Sequence, residues 1–167
     1  IKACEFIDSK SSEFYYKTII PCNLYGPGDK FEIENAHLIP GVINKMHSAK
    51  LNSSKYISMW GDGLARREFL FTDDLSDFIL FILNKNFRSL EVRTNVGFGK
   101  DFTVNQYYDF ISKIVGYKGE VRKDLTKPTG TKRKLMDSTL TKKMNWTPTH
   151  SMEEGIQKTY EYYLSKL

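Results

Sequence analysis

The sequence predicts an α/β fold, and three observations predict it. Helical and strand-like periodicities alternate along the chain rather than falling into separate blocks. Two capping-box signatures, Thr103-Val-Asn-Gln106 and Ser151-Met-Glu-Glu154, stand directly before amphipathic runs. The composition, with 40% apolar, 14% aromatic and 27% charged residues in a chain of 167, is that of a folded domain able to bury a sizeable core.

The elements follow in order. Residues 1 to about 13 read as a helix, with Ala3, Cys4 and Ile7 on one face and Lys2, Glu5 and Asp8 between them. Tyr15 to Pro21 is rich in β-formers and closes on a proline, so it reads as a strand. Asn23 to Asp29 reads as a loop through the turn residues Gly26, Pro27 and Gly28. From His37 to about Lys50 the apolar residues Leu38, Val42, Met46 and Ala49 recur at helical steps. Tyr56 to Trp60 is a short strand before the Gly61-Asp-Gly63 turn, and Glu68 to Phe71 is another. Thr72 is the expected N-cap of a helix running to about Lys85, with Asp73 and Asp74 in the first turn where the dipole favours negative charge. Glu91 to Val96 is a strand that turns at Gly97-Phe-Gly99, and the two capping boxes open the last helices.

Composition excludes several classes. The longest apolar run, Phe78 to Leu83, is far short of the roughly 20 residues that a spanning helix needs. The opening Ile-Lys-Ala-Cys-Glu-Phe-Ile-Asp is not a signal peptide, and it reads as the middle of a helix. Cys4 and Cys22 support neither a disulfide framework nor a metal site, which favours a reduced, cytoplasmic setting. A net charge of +5 and a pI near 9.1 suit either nucleic acid or a small anion such as a nucleotide diphosphate.

Single motifs have ordinary readings. Gly97-Phe-Gly99 lacks the third glycine of a dinucleotide loop, because Phe102 occupies its place. Tyr162-x-x-x-Lys166 has the spacing that lowers a tyrosine pKa in short-chain dehydrogenases, but at this terminal position it reads as a solvated helix end. The basic sets Arg66-Arg67 and Lys132-Arg133-Lys134 read as loop-borne, suited to gripping phosphate or simply solvated. His37 opens a helix after a polar loop, where a proton-transfer role is chemically reasonable, whereas His47 and His150 read as surface residues.

In sequence order, Pro21-Cys-Asn-Leu-Tyr-Gly-Pro27, Asn35-Ala-His-Leu-Ile-Pro40, Trp60-Gly-Asp-Gly63, Arg67-Glu-Phe-Leu70 with Asp73-Asp74, Asn95-Val-Gly97, Val115-Gly-Tyr-Lys-Gly119 and Lys127-Pro-Thr-Gly-Thr to Asp137 form a series. That series resembles the GDP-L-fucose synthases, extended short-chain dehydrogenase/reductases that epimerise C3 and C5 of a GDP-4-keto sugar and reduce C4 with NADPH. The resemblance implies the C-terminal portion of a Rossmann-like enzyme together with its small substrate-binding domain. Residues 1–30 would end the Rossmann core, and 31–167 would be mainly substrate-binding domain, with 68–97 returning to the core.

Residue by residue, the resemblance implies that Pro21, Cys22, Asn23 and Leu24 contact the nicotinamide end of NADP(H). It makes His37 the catalytic general acid, close to the same cofactor. Lys45, Trp60, Arg67 and Lys134 would contact the GDP-sugar. The family's Gly-rich loop, catalytic Ser and Cys, and Tyr-x-x-x-Lys pair have no counterpart here, so the chain reads as the second half of such an enzyme, cut within a helix and inactive alone. Thr129 replaces an aspartate and Phe98 a threonine of the family pattern, which leaves open a related GDP-sugar such as a keto-heptose. The resemblance also implies a homodimer, with neither a membrane nor a specific nucleic-acid partner. The rival reading from composition is a non-catalytic basic module for nucleic acid or an acidic partner.

Overall fold

The computed structural model describes residues 1–10, 15–32 and 34–167. The chain runs through α1 (Lys2–Lys10), β1 (Thr18–Pro21), β2 (Asn23–Tyr25), α2 (Leu38–Leu51), β3 (Tyr56–Trp60), β4 (Arg66–Arg67), β5 (Phe69–Phe71) and α3 (Thr72–Leu83). It continues through β6 (Arg93–Val96), β7 (Phe102–Thr103), α4 (Val104–Val115), β8 (Glu120–Asp124), β9 (Arg133–Lys134), α5 (Thr139–Lys143) and α6 (Met152–Leu164). The α/β expectation holds. The first helix is described as far as Lys10, and the remainder of its expected span, at 11–13, lies outside the described residues.

β1 and β2 form one extended line that changes partner. Thr18 to Pro21 pairs in parallel with Arg93 to Val96, and the Cys22 amide still donates to the Val96 carbonyl at 2.9 Å. Asn23 to Tyr25 then pairs in parallel with Phe69 to Phe71. The expected loop over 23–29 therefore begins three residues late. Tyr25 is the reason: it is buried, with its ring 6.3 Å from Phe69 and 5.6 Å from Phe71, and this pairing outweighs the local turn signals. The turn starts at Gly26, whose φ of +155° and whose contact with the Thr72 hydroxyl suit glycine.

Two hydrophobic clusters fill the interior. The larger gathers Ile39, Val42, Ile43 and Met46 of α2, Tyr107 and Ile111 of α4, and Ile156 and Tyr160 of α6. The smaller joins Leu70, Phe78, Ile82, Val96 and Trp146. Each fully buried side chain of this size contributes about 1.5–3 kcal/mol. Both capping boxes form as expected, with the Thr103 and Ser151 hydroxyls accepting the amides of Gln106 and Glu154.

Three local expectations are corrected. Phe71, not Thr72, occupies the N-cap position of α3, and Thr72 begins the helix with its carbonyl accepting from Ser76 Oγ. His47 is buried, with Nδ1 2.9 Å from the Tyr160 hydroxyl, because it faces α6 rather than solvent. His150 is likewise no free surface group. Its Nδ1 lies 2.9 Å from Oδ1 of Asp74, a buried carboxylate that also accepts from the Thr149 amide and hydroxyl. Asp74 thus ties the start of α3 to the start of α6, a role beyond the helix dipole.

Candidate functional site

α2 supplies one wall of a cleft. Ile39, Ile43 and Met46 of this helix enter the core, while Leu38, Gly41 and Lys45, with His37 just before the helix, line the cleft at steps of three and four, and the core residue Val42 reaches its wall as well. His37 is the N-cap residue, exposed and in extended conformation (φ −66°, ψ 171°), and its side chain makes no capping bond. Lys45 is half-buried, and its Nζ donates to the Ser58 carbonyl at 2.9 Å. Burial lowers its pKa, because a desolvated ammonium is disfavoured.

The facing wall is a small sheet ordered β7–β4–β9, in which β4 and β9 are basic. β4 and β9 run parallel, with Arg66 opposite Arg133 and Arg67 opposite Lys134. Alternation along a strand sends neighbours to opposite faces, so registered pairs share a face. Arg66 and Arg133 turn to one side, where both guanidinium groups bond the buried carboxylate of Asp101: Arg66 Nη2 and Nε donate at 2.8 and 3.1 Å, and Arg133 through Nε. These bonds hold the Asp101 carboxyl down at about 2. Arg67 and Lys134 turn to the other side and line the cleft. Apart from Lys132, which precedes β9, the basic sets are therefore strand-borne rather than loop-borne, and they are not uniformly free to grip phosphate: Arg66 and Arg133 are committed to Asp101.

The cleft encloses about 460 Å³. Asn23, Met59, Trp60, Phe69, Pro128 and Thr129 also line it, together with Val104 and Tyr108 of α4. Trp60 is 65% exposed, with Lys127 Nζ 5.6 Å from its ring centroid, so an apolar aromatic face is presented beside a cation. Arg67 is held by its own donors: Nη1 bonds the Arg66 carbonyl at 2.8 Å and the Thr131 carbonyl at 2.6 Å. A second cleft of about 430 Å³ lies against Cys22, Leu24, Gly26, Gly28 and Thr72, and His37 lines both. Burial, assisted by the nearby Glu68 carboxylate, pushes the Cys22 thiol up to about 12, so it stays neutral.

The expected site residues thus fall into three groups. His37, Lys45, Trp60, Arg67, Lys134 and Asn23 share the first cleft, and Cys22 and Leu24 line the second beside His37. Pro21 lines neither. Tyr162 and Lys166 lie at the end of α6, with the ammonium 5.2 Å from the ring centroid, and line neither cleft. Sequence reading missed Met59, Phe69, Val104 and Tyr108, whose apolar types look the same in a core as in a cleft wall. It also missed Glu68, 1% exposed at the single residue that links β4 to β5, because its place between Arg67 and Phe69 does not announce its burial.

The NAD dependent epimerase/dehydratase family matches residues 3–97, more than half of the chain. The chain belongs to that family. Within it, the chain is 47% identical to the GDP-L-colitose synthase of Yersinia pseudotuberculosis over 165 residues, which is 99% of this chain and 53% of the relative. It is 43% identical to the GDP-L-fucose synthase of Azorhizobium caulinodans over 171 residues, covering 99% of this chain and 52% of that protein. Among solved structures, the GDP-mannoheptose C4 reductase of Campylobacter jejuni with NADP bound superposes with a TM-score of 0.84 at 25% identity, over 98% of this chain and 56% of that one. The chain spans about half the length of the curated relatives it matches. These family members support the Rossmann-like, short-chain-reductase-type fold expected from the motifs. Among the described residues, no helix is long and apolar enough to cross a membrane.

Proposed function

We propose that this chain is the substrate-binding half of an NADPH-dependent GDP-sugar 3,5-epimerase/4-reductase of the GDP-L-fucose synthase type. The observation that carries the reading is the convergence of His37, Lys45, Trp60, Arg67 and Lys134 on one cleft. A GDP diphosphate brings about two negative charges, and Lys45, Arg67 and Lys134 supply the matching cations, Arg67 with a planar fork suited to phosphate oxygens. The Trp60 ring offers an apolar face for the sugar or base. His37, unencumbered by a capping bond, is the general acid that returns a proton to a carbon beside the ketone.

Asn23, Cys22 and Leu24 face the nicotinamide end of NADP(H) in this reading. The second cleft suits an uncharged ring: it is rich in glycine, and its thiol stays neutral. When bound, NADPH supplies the hydride for the C4 ketone. The 3,5-epimerase step, the choice among deoxyhexose and heptose sugars, a cytoplasmic location and a homodimer belong to the same proposal. Phe6 of α1, 65% exposed, supports an apolar face that a second copy covers. The sequence holds no Tyr-x-x-x-Lys other than Tyr162 to Lys166, so the 167 residues by themselves are expected to bind GDP-sugar without oxidising NADPH.

His37→Ala in the full-length enzyme provides the test. Deuterium uptake from solvent at C3 and C5 of a GDP-4-keto sugar should fall by about 100-fold or more, with reduction of the ketone retained in part. Unchanged uptake would remove His37 from the chemistry.

A further inference from the structure

The cations of the cleft stand on two very short strands, and two-residue strands do not hold their own register. On the face away from the cleft, Asp101 fastens β4 to β9. Glu68 makes a second attachment of a different kind. It follows Arg67 directly, is 1% exposed, and uses its two carboxylate oxygens on two separate segments. Oε1 accepts the Gly99 amide at 2.7 Å, in the turn after β6. Oε2 accepts the Met136 amide at 2.7 Å, two residues beyond Lys134. The backbone around it fits this carboxylate closely: a Cβ on Gly97 would lie 2.5 Å from Oε1. The Glu68 carbonyl is also used, accepting at 3.0 Å from Nδ2 of Asn23, a residue that lines the cleft.

From this geometry we infer that Glu68 is a positioning residue for the anion grip, fixing the exit of β9 so that Lys134 stands beside Arg67 on the same wall of the cleft. The inference rests on the proposal that the Arg67 and Lys134 pair holds a nucleoside diphosphate. Glu68 does not touch the cleft itself and is absent from its lining. It acts through the Met136 amide. Buried carboxylates that accept backbone N–H groups make strong, directional bonds, so losing one releases the segment that donates it.

The test uses the full-length enzyme with GDP as the calorimetric probe, followed by steady-state kinetics on a GDP-4-keto sugar. Arg67→Ala and Lys134→Ala each weaken GDP binding about tenfold if the pair holds the diphosphate. Glu68→Gln preserves shape but turns one oxygen into a donor facing a backbone N–H, and it too weakens GDP about tenfold. KM should rise by a similar factor, with kcat within about twofold, which general loosening of the fold would not produce. In the Lys134→Ala background, Glu68→Gln should add less than about twofold, because the lysine it positions is gone. Gly97→Ala crowds the same carboxylate while removing no donor or acceptor; it should shift KM in the same direction, and its result stands where Glu68→Gln does not fold. Unchanged GDP affinity in both Glu68→Gln and Gly97→Ala, or full additivity with Lys134→Ala, overturns the positioning role. Unchanged affinity in Arg67→Ala and Lys134→Ala overturns instead the diphosphate reading on which it rests.

Discussion

Replacing Asp101 with asparagine preserves its shape and removes its charge, which isolates the electrostatic attachment between β4, β7 and β9. Asp101 has a side chain 5% exposed and receives Arg66 and Arg133, whose side chains are 41% and 59% exposed. A wholly buried pair that loses one partner costs about 3–5 kcal/mol, and a surface pair no more than about 1. The carboxylate here is buried but both guanidinium groups can rehydrate, so the loss should be about 2 kcal/mol. Urea denaturation of the protein measures it as a lower midpoint at unchanged slope. The pH dependence gives an independent check. The folded-state pKa is depressed to about 2, below the unfolded value near 3.9, so the stabilisation is fully present above pH 4 and is lost as pH falls through 2. The gap between wild type and Asp101→Asn should therefore close on acidification across that window. A loss below about 0.5 kcal/mol at pH 7, or a gap that stays constant down to pH 2, would refute the reasoning.

Two further outcomes follow from other parts of the molecule. Asp74→Ala strands the amide and hydroxyl of Thr149 and Nδ1 of His150, and should lower stability by about 2–4 kcal/mol in the same denaturation assay; a change under about 0.5 would mean that the α3–α6 tie is dispensable. Because burial lowers the Lys45 pKa, GDP affinity should decline on the alkaline side before ordinary lysines titrate, and Lys45→Gln should abolish that limb of the profile; persistence of the limb in the variant would exclude Lys45 as its source.

Much of the fold was legible because its signals are local. The capping boxes at Thr103 and Ser151 and the apolar steps of α2 each report on a few neighbouring residues, and the structure has them where they were expected. What escaped depends on partners distant in sequence. Asn23 to Tyr25 carries loop-like residues, yet it is a strand because Phe69 to Phe71 lies alongside. His150 looks solvated until Asp74, 76 residues away, is brought to its Nδ1. The site shows the same division. His37, Lys45, Trp60 and Arg67 are legible through the motif series, in which Arg67-Glu-Phe-Leu70 singles out Arg67, whereas charge and periodicity alone leave it equivalent to Arg66. The register with β9, and the carboxylate waiting on one side, give the physical reason that one arginine faces the cleft and the other does not.

That separation has a consequence for how the grip is encoded. β4 and its partner segment carry Arg66, Arg67, Lys132, Arg133 and Lys134, a run in which every residue is a cation. Alternating polarity usually tells a strand which face is which, and here the alternation is missing. A slip of one residue would present a different pair of cations to the ligand at no change in net charge. The instruction for handedness is therefore written outside the strands, in two acidic residues of opposite placement. Asp101 claims one set of side chains and Glu68 claims the backbone beyond the other. If the cleft holds the proposed diphosphate, its recognition is under the control of two anions that do not line the cleft.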